Sequence, residues 1–105
     1  FSDMKIQIEA GRLLLYRAAI HADKGFPSSK DTSIAKAFCN KAGFDICNEA
    51  MQVMGGMGYS QESLVEYCFR KSRGWQIAGG STEMMKNRIA EDIFECRFSQ
   101  RPPKK

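Results

Sequence analysis

Apolar residues near the start of the chain recur at alternating spacings of three and four. Phe1, Met4, Ile8, Gly11, Leu15, Ala18 and Ala22 fall on one helical seam, with Asp3, Lys5, Glu9, Arg12 and Arg17 on the opposite side. This pattern predicts a long amphipathic helix from Phe1 to Asp23. Lys24-Gly25 ends it, because glycine readily takes a left-handed cap conformation. After the connector Gly25-Phe26-Pro27-Ser28-Ser29, the run Ser28-Ser29-Lys30-Asp31 has the form of a capping box and predicts a second helix start. Its seam is Ile34, Ala35, Phe38, Cys39, Ala42, Ile46, Ala50 and Val53, running to about Met54. Roughly 24 residues at ~1.5 Å rise give ~36 Å, matching the first helix. Two such helices joined by a short connector must pack antiparallel.

Gly55-Gly56-Met57-Gly58-Tyr59 breaks the periodicity. Ser60 is placed to cap a third, shorter helix that buries Leu64, Val65, Cys68 and Phe69. A second break spans Gly74 to Gly80. Ser81 or Thr82 then caps a fourth helix, with Glu83 in its first turn and an apolar stripe of Met85, Ile89, Ile93 and Cys96. No segment alternates as a strand would, and there is no internal repeat. The predicted class is all-α: an antiparallel up-down bundle with too few helices to close four. At least one long helix from outside this chain, or from a second subunit, is expected to complete it.

Charge changes the picture only at the end. The chain of 105 residues carries a formal charge of +4, yet its acidic and basic side chains balance through residue 96. The excess is Arg97, Arg101, Lys104 and Lys105. The expected organisation is a helical domain over 1–97 and a flexible basic tail over 98–105. A terminal cluster of this kind does not make the basic face that nucleic acid requires, and no nucleic-acid partner is expected. No apolar run approaches the ~20 residues of a membrane-spanning helix. Cys39, Cys47, Cys68 and Cys96 lack C-x-x-C spacing. With His21 the only histidine, no metal site is expected; four reduced thiols in a reducing compartment are. His21 with Ser28 or Ser29 does not amount to a catalytic triad.

The two breaks carry the candidate chemistry. Gln52 stands one turn before a helix end, followed by three glycines in four residues. Gly79-Gly80-Ser81-Thr82-Glu83 puts two glycines and two hydroxyls at a helix start. Glycine lets a flat or charged group approach the backbone, and free N–H groups at a helix start favour anionic oxygens. A plainer reading, a C-cap glycine cluster and an ordinary N-cap, also fits. Met51, Met54, Met57, Met84 and Met85 flank both breaks as core filler or as an adaptable wall. Trp75, between the breaks, suits a packing anchor or a shield.

The segment Gln52-Val53-Met54-Gly55-Gly56-Met57-Gly58-Tyr59 resembles the Q-x-x-G-G-x-G-[YF] stretch of the acyl-CoA dehydrogenases. Glu66 to Arg73, Ser33 to Phe38, and Gly79-Gly80-Ser81-Thr82-Glu83-Met84-Met85-Lys86 are similar to other segments of that family's C-terminal helical domain. The resemblance covers about residues 1 to 97. It implies an FAD enzyme that desaturates an acyl-CoA thioester, with a carboxylate taking the α-proton and hydride passing to flavin. It implies that Gln52, Val53, Met54, Gly55 and Gly56 contact the adenine-diphosphate side of FAD, usually across a subunit interface. Ser81, Thr82 and Glu83 would contact FAD from the last helix, while Gly79 and Gly80 would line the acyl-CoA site. Implied partners are the family's N-terminal and β domains, an electron-transfer flavoprotein and further copies in a homodimer or homotetramer. The implied compartment is a bacterial cytoplasm or mitochondrial matrix.

One position departs from the pattern. Where many family members carry the catalytic glutamate, this chain has Gly79. The resemblance is therefore nearest to the long-chain and isovaleryl-type branches, whose base sits on an earlier helix, here expected upstream of Phe1. Glu83 is a nearby alternative, although the resemblance gives it a cofactor contact. No catalytic base is expected within the chain, which alone is expected to be inactive. An alternative function is a helical oligomerisation or interaction module without cofactor binding of its own.

Overall fold

A computed structural model of the chain describes residues 1–23, 25–26 and 28–98. It is all-α, with five helices in chain order: α1 (Ser2–Ala22), α2 (Ser29–Met54), α3 (Gly56–Tyr59), α4 (Leu64–Trp75) and α5 (Thr82–Ile93). No strand occurs among the described residues. The up-down bundle predicted from periodicity is present. The predicted basic tail lies outside the described residues apart from Phe98.

The helix α2 is the hub. It packs against α1, α3, α4 and α5, and among the described residues the only other pair in contact is α3 with α4. The molecule is accordingly a slab of 55 × 33 × 20 Å, its short side about two helix diameters. Such a slab has little interior. Among the described residues only Ala18, Ala35 and Ala42 are buried hydrophobic residues. Small side chains sit there because α1 and α2 approach closely. At Gly11 a Cβ would lie 3.2 Å from Cys39 Sγ, and the Cys39 thiol is 3.6 Å from the Gly11 carbonyl oxygen.

The predicted seams are only partly covered. On α1, Gly11 and Ala18 are buried, but Phe1, Ile8 and Leu15 remain exposed. A helix with one neighbour covers only the centre of its stripe. Ile8 and Leu15 border a groove of about 360 Å³ between α1 and α2. On α2, Val53, at the end of the helix, is also exposed, as are Leu64 on α4 and Ile93 on α5.

Two helix ends differ from expectation. Asp23 caps α1 in the right-handed region at φ −64°, while Gly25 has φ +145°. The cap of α4 is Ser63, whose Oγ accepts from Val65 N at 3.2 Å. Ser60 is unavailable because Gly56–Tyr59 forms a helical turn of its own and Ser60 follows as its C-cap. The Ser28 and Ser81 caps are as expected, accepting from Asp31 N at 3.3 Å and Met84 N at 3.4 Å. Asp31 makes half of the predicted box. Its carboxylate turns to α1 instead, meeting His21 Nδ1 at 2.6 Å and Arg17 Nη2 at 3.4 Å.

All four cysteines are free; Cys39, Cys47 and Cys68 are half-buried, and Cys96 is exposed rather than part of the core. Burial pushes the Cys39 thiol up from its ordinary pKa. Trp75 is 57% exposed rather than buried as a packing anchor among the described residues.

Candidate functional site

The first glycine segment lies at the C-terminal end of α2. Gln52, Val53, Met54, Gly55 and Gly56 are all exposed there. Gly55 has φ +59°, a conformation that favours glycine, and its N–H donates to the Gln52 carbonyl at 3.2 Å. Gly58 is different. It is buried, and a Cβ there would fall 2.8 Å from Met54 Cβ and 2.9 Å from the Met51 carbonyl oxygen. The third glycine of the motif is thus required by the packing of α3 on α2. Beside this end runs a groove of about 650 Å³ lined by Met51, Tyr59, Phe69, Arg70, Arg73 and Ile77 among others. Phe69 stacks on Phe44 with ring centroids 5.0 Å apart.

The second segment joins α4 to α5. Gly79 and Gly80 have φ +65° and +96°. Thr82 donates to the Gln76 carbonyl through its N–H at 3.0 Å and its hydroxyl at 3.4 Å. Ser81 caps α5. The backbone N–H of Glu83 itself and then the Ser81 hydroxyl hold the Glu83 carboxyl below the usual carboxylate range. Gly79 supplies no side chain for the role of base.

Two α2 residues secure this turn. Lys36 Nζ donates to the carbonyl oxygens of Gly79 and, at 3.2 Å, Ala78. Asn40 Nδ2, one turn further along, donates to the Trp75 carbonyl at 2.7 Å. The final carbonyls of a helix lack intrahelical partners, so Asn40 answers a need at the end of α4, while Lys36 holds two carbonyls of the turn beyond it. Periodicity did not identify either residue, because a contact across some 40 positions leaves no local spacing signal. Lys36 does fall in the Ser33–Phe38 segment that matched the family pattern.

The two segments do not meet within one chain. Lys36, beside Gly79, and Gln52 lie 16 residues apart on the same helix, which at ~1.5 Å rise separates them by about 24 Å. His21 likewise meets no serine; its partner is Asp31.

An open helical domain with a glycine-built edge at each end of its central helix is the architecture to compare. A family model described as "Acyl-CoA dehydrogenase, C-terminal domain" matches residues 1–94. The chain belongs to this family. It is 32% identical over 100 residues to a 3-sulfinopropanoyl-CoA desulfinase of Paraburkholderia xenovorans, covering 95% of this chain and 26% of that protein. It is 38% identical to a cyclohexane-1-carbonyl-CoA dehydrogenase of Geobacter metallireducens, covering 90% and 25%. The solved butyryl-CoA dehydrogenase of Megasphaera elsdenii superposes with a TM-score of 0.84 at 35% identity, covering 89% of this chain and 24% of that one. The chain therefore spans about a quarter of the length of these relatives.

Proposed function

We propose that this chain is the C-terminal helical part of an FAD-dependent acyl-CoA dehydrogenase and supplies one edge to each of two composite sites. The carrying observation is the Gly79–Gly80 turn, open at positive φ and held at the start of α5. In this reading Gly79 and Gly80 line the acyl-CoA site, where the lack of side chains admits the acyl chain. Ser81, Thr82 and Glu83 hold the cofactor from α5, and Gln52, Val53, Met54, Gly55 and Gly56 hold the adenine-diphosphate side of a cofactor at the other end of α2. The residues leave room for such a group: Gln52, Val53, Met54, Gly55 and Gly56 are all exposed, and nothing lies within 4 Å of a Cβ at Gly55 or Gly56. FAD, when bound, supplies the hydride acceptor. In this reading the proton acceptor comes from outside this chain, because Gly79 has no side chain and Glu83 is taken up in holding the cofactor.

The domain boundary at residue 97, assembly as a homodimer or homotetramer, and electron delivery to a transfer flavoprotein belong to the same proposal. Four free cysteines fit a reducing compartment such as a bacterial cytoplasm or mitochondrial matrix. A second reading has a specific basis. Gly79 replaces the base, and the desulfinase relatives are named for removing a sulfinate group, so a redox-neutral cleavage of an acyl-CoA is a competing chemistry at the same site.

Flavin absorbance and turnover test the proposal in the polypeptide that joins this chain to the family's other two domains. Bound FAD that is lost on Gln52→Ala or Gly56→Val, with enoyl-CoA formed from acyl-CoA and an artificial acceptor, is expected. Flavin-free protein would favour an interaction module. Release of sulfite from a sulfinoacyl-CoA without reduction of an acceptor would favour cleavage. The 105-residue chain alone is expected to turn over no acyl-CoA.

A further inference from the structure

The Gly79–Gly80 turn poses a mechanical problem. Two consecutive glycines are the most flexible backbone a chain can have, and a site wall built from them has no fixed shape of its own. A functional backbone needs support from a rigid element. The nearest rigid element is α2, an uninterrupted helix of 26 residues.

Lys36 stands where α2 passes the turn. Its ammonium donates to two successive carbonyls, Ala78 and Gly79. It would lie 3.3 Å from a Cβ on Gly79 and 3.7 Å from one on Gly80. Among the described residues no carboxylate lies within ion-pairing distance of Lys36. Its charge is spent on the turn alone. In a trans peptide the C=O and N–H point in opposite directions. Carbonyls 78 and 79 drawn towards Lys36 therefore turn the N–H groups of Gly79 and Gly80 to the other side. Neither N–H donates to a backbone or side-chain acceptor among the described residues. Both are left without a partner on the side of the turn away from Lys36.

We propose that Lys36 is a positioning residue of the acyl-CoA site: from α2 it clamps the carbonyls of Ala78 and Gly79 and so aims the Gly79 and Gly80 N–H groups at the bound thioester. It does not touch substrate. Asn40 anchors the same segment at Trp75 but reaches neither glycine carbonyl, which makes Lys36 the specific determinant of the turn's orientation. This inference rests on the reading of Gly79–Gly80 as the acyl-CoA wall.

The test compares Lys36→Met and Lys36→Arg in the polypeptide that carries this chain with the family's other domains. Lys36→Met is expected to keep its flavin and to lose about tenfold or more in kcat/KM, chiefly in kcat, as for a donor acting on a developing charge. Lys36→Arg, which keeps a charged donor, is expected to recover most of that loss. Unchanged kcat/KM in Lys36→Met, or equal impairment of the two variants, overturns the proposal. One measurement on the unsubstituted 105-residue chain holds even if Lys36→Met does not fold. Lys36 should react with an amine-acylating reagent well below the rate of exposed Lys41. Lys36 acylated as fast as Lys41 overturns the clamp. If the larger polypeptide binds neither flavin nor acyl-CoA, the function assigned to the turn has failed, and the labelling result reports on the clamp separately.

Discussion

At the scale of single residues, the glycines of the first motif do different work. Gly55 needs its positive φ, whereas Gly58 needs the absence of a side chain. Alanine at Gly58 would press its Cβ against Met54 Cβ and the Met51 carbonyl, both on the backbone side of α2 and unable to yield. Overpacking of this kind costs about 1–3 kcal/mol. Gly43, in the middle of α2, has nothing within 4 Å of the equivalent position. Alanine there removes a helix-interior glycine and is expected to stabilise by roughly 0.5–1 kcal/mol. Urea unfolding of the two variants checks the pair; a Gly58→Ala protein as stable as the parent would mean that α3 is not packed on α2. The sequence revealed both glycine clusters as breaks, because glycine interrupts any periodic pattern. It could not assign each glycine its reason, which depends on which backbone lies opposite. Lys36 and Asn40 were invisible for a related cause: their partners are carbonyls, which every residue possesses.

At the scale of elements, α1 and α2 are joined as much by charge as by packing. Asp31, in the first turn of α2, is nearly buried and holds His21 and Arg17 from the last turns of α1. The His21 hydrogen bond is the largest cause that draws the Asp31 carboxyl below its ordinary range; desolvation opposes it, and the charges of His21, Arg17 and Lys30 add to it. A folded-state pKa below the unfolded value of about 3.9 means stability that is fully present above that value. It is lost as pH falls through the lower, folded value. Urea midpoints followed from neutral pH downwards should therefore drop in the acid limb. Asp31→Asn should flatten that drop and lower the midpoint near neutrality. An acid limb identical in both proteins would remove the cluster from the account. Helix seams were readable in advance because burial on one side of a helix imposes a period. The pairing was not, since S-x-x-D at a helix start accounts for Asp31 locally and says nothing of α1. The shift of the α4 cap from Ser60 to Ser63 has the same character: both serines satisfy the cap rule, and α3 decides between them.

At the scale of the whole molecule, the slab form and the site form one argument. With only three buried hydrophobic residues, the described chain leaves Ile8 and Leu15 beside an open groove and Gln7 Oε1 buried without a donor. Under the proposed function these surfaces are shared with further protein. The same sharing applies to chemistry. The Gln52 edge and the Gly79–Gly80 edge sit about 24 Å apart along α2, on a helix too stiff to bring them together. Under the proposed function each active site then takes its two edges from different copies of the chain. This arrangement has a consequence in mixed assemblies. Gln52→Ala subunits and Gly80→Val subunits of the larger polypeptide should each be inactive alone. In a mixed dimer one site collects both defects and the other collects none. Random pairing of equal amounts places half the dimers in the mixed class, each with one intact site, so roughly a quarter of the parent activity should return in a closed two-fold assembly. Denaturing and refolding the variants together, then assaying against each refolded alone, makes the measurement. If both edges instead served one site within a single subunit, every site in the mixture would carry a defect, and no activity would return.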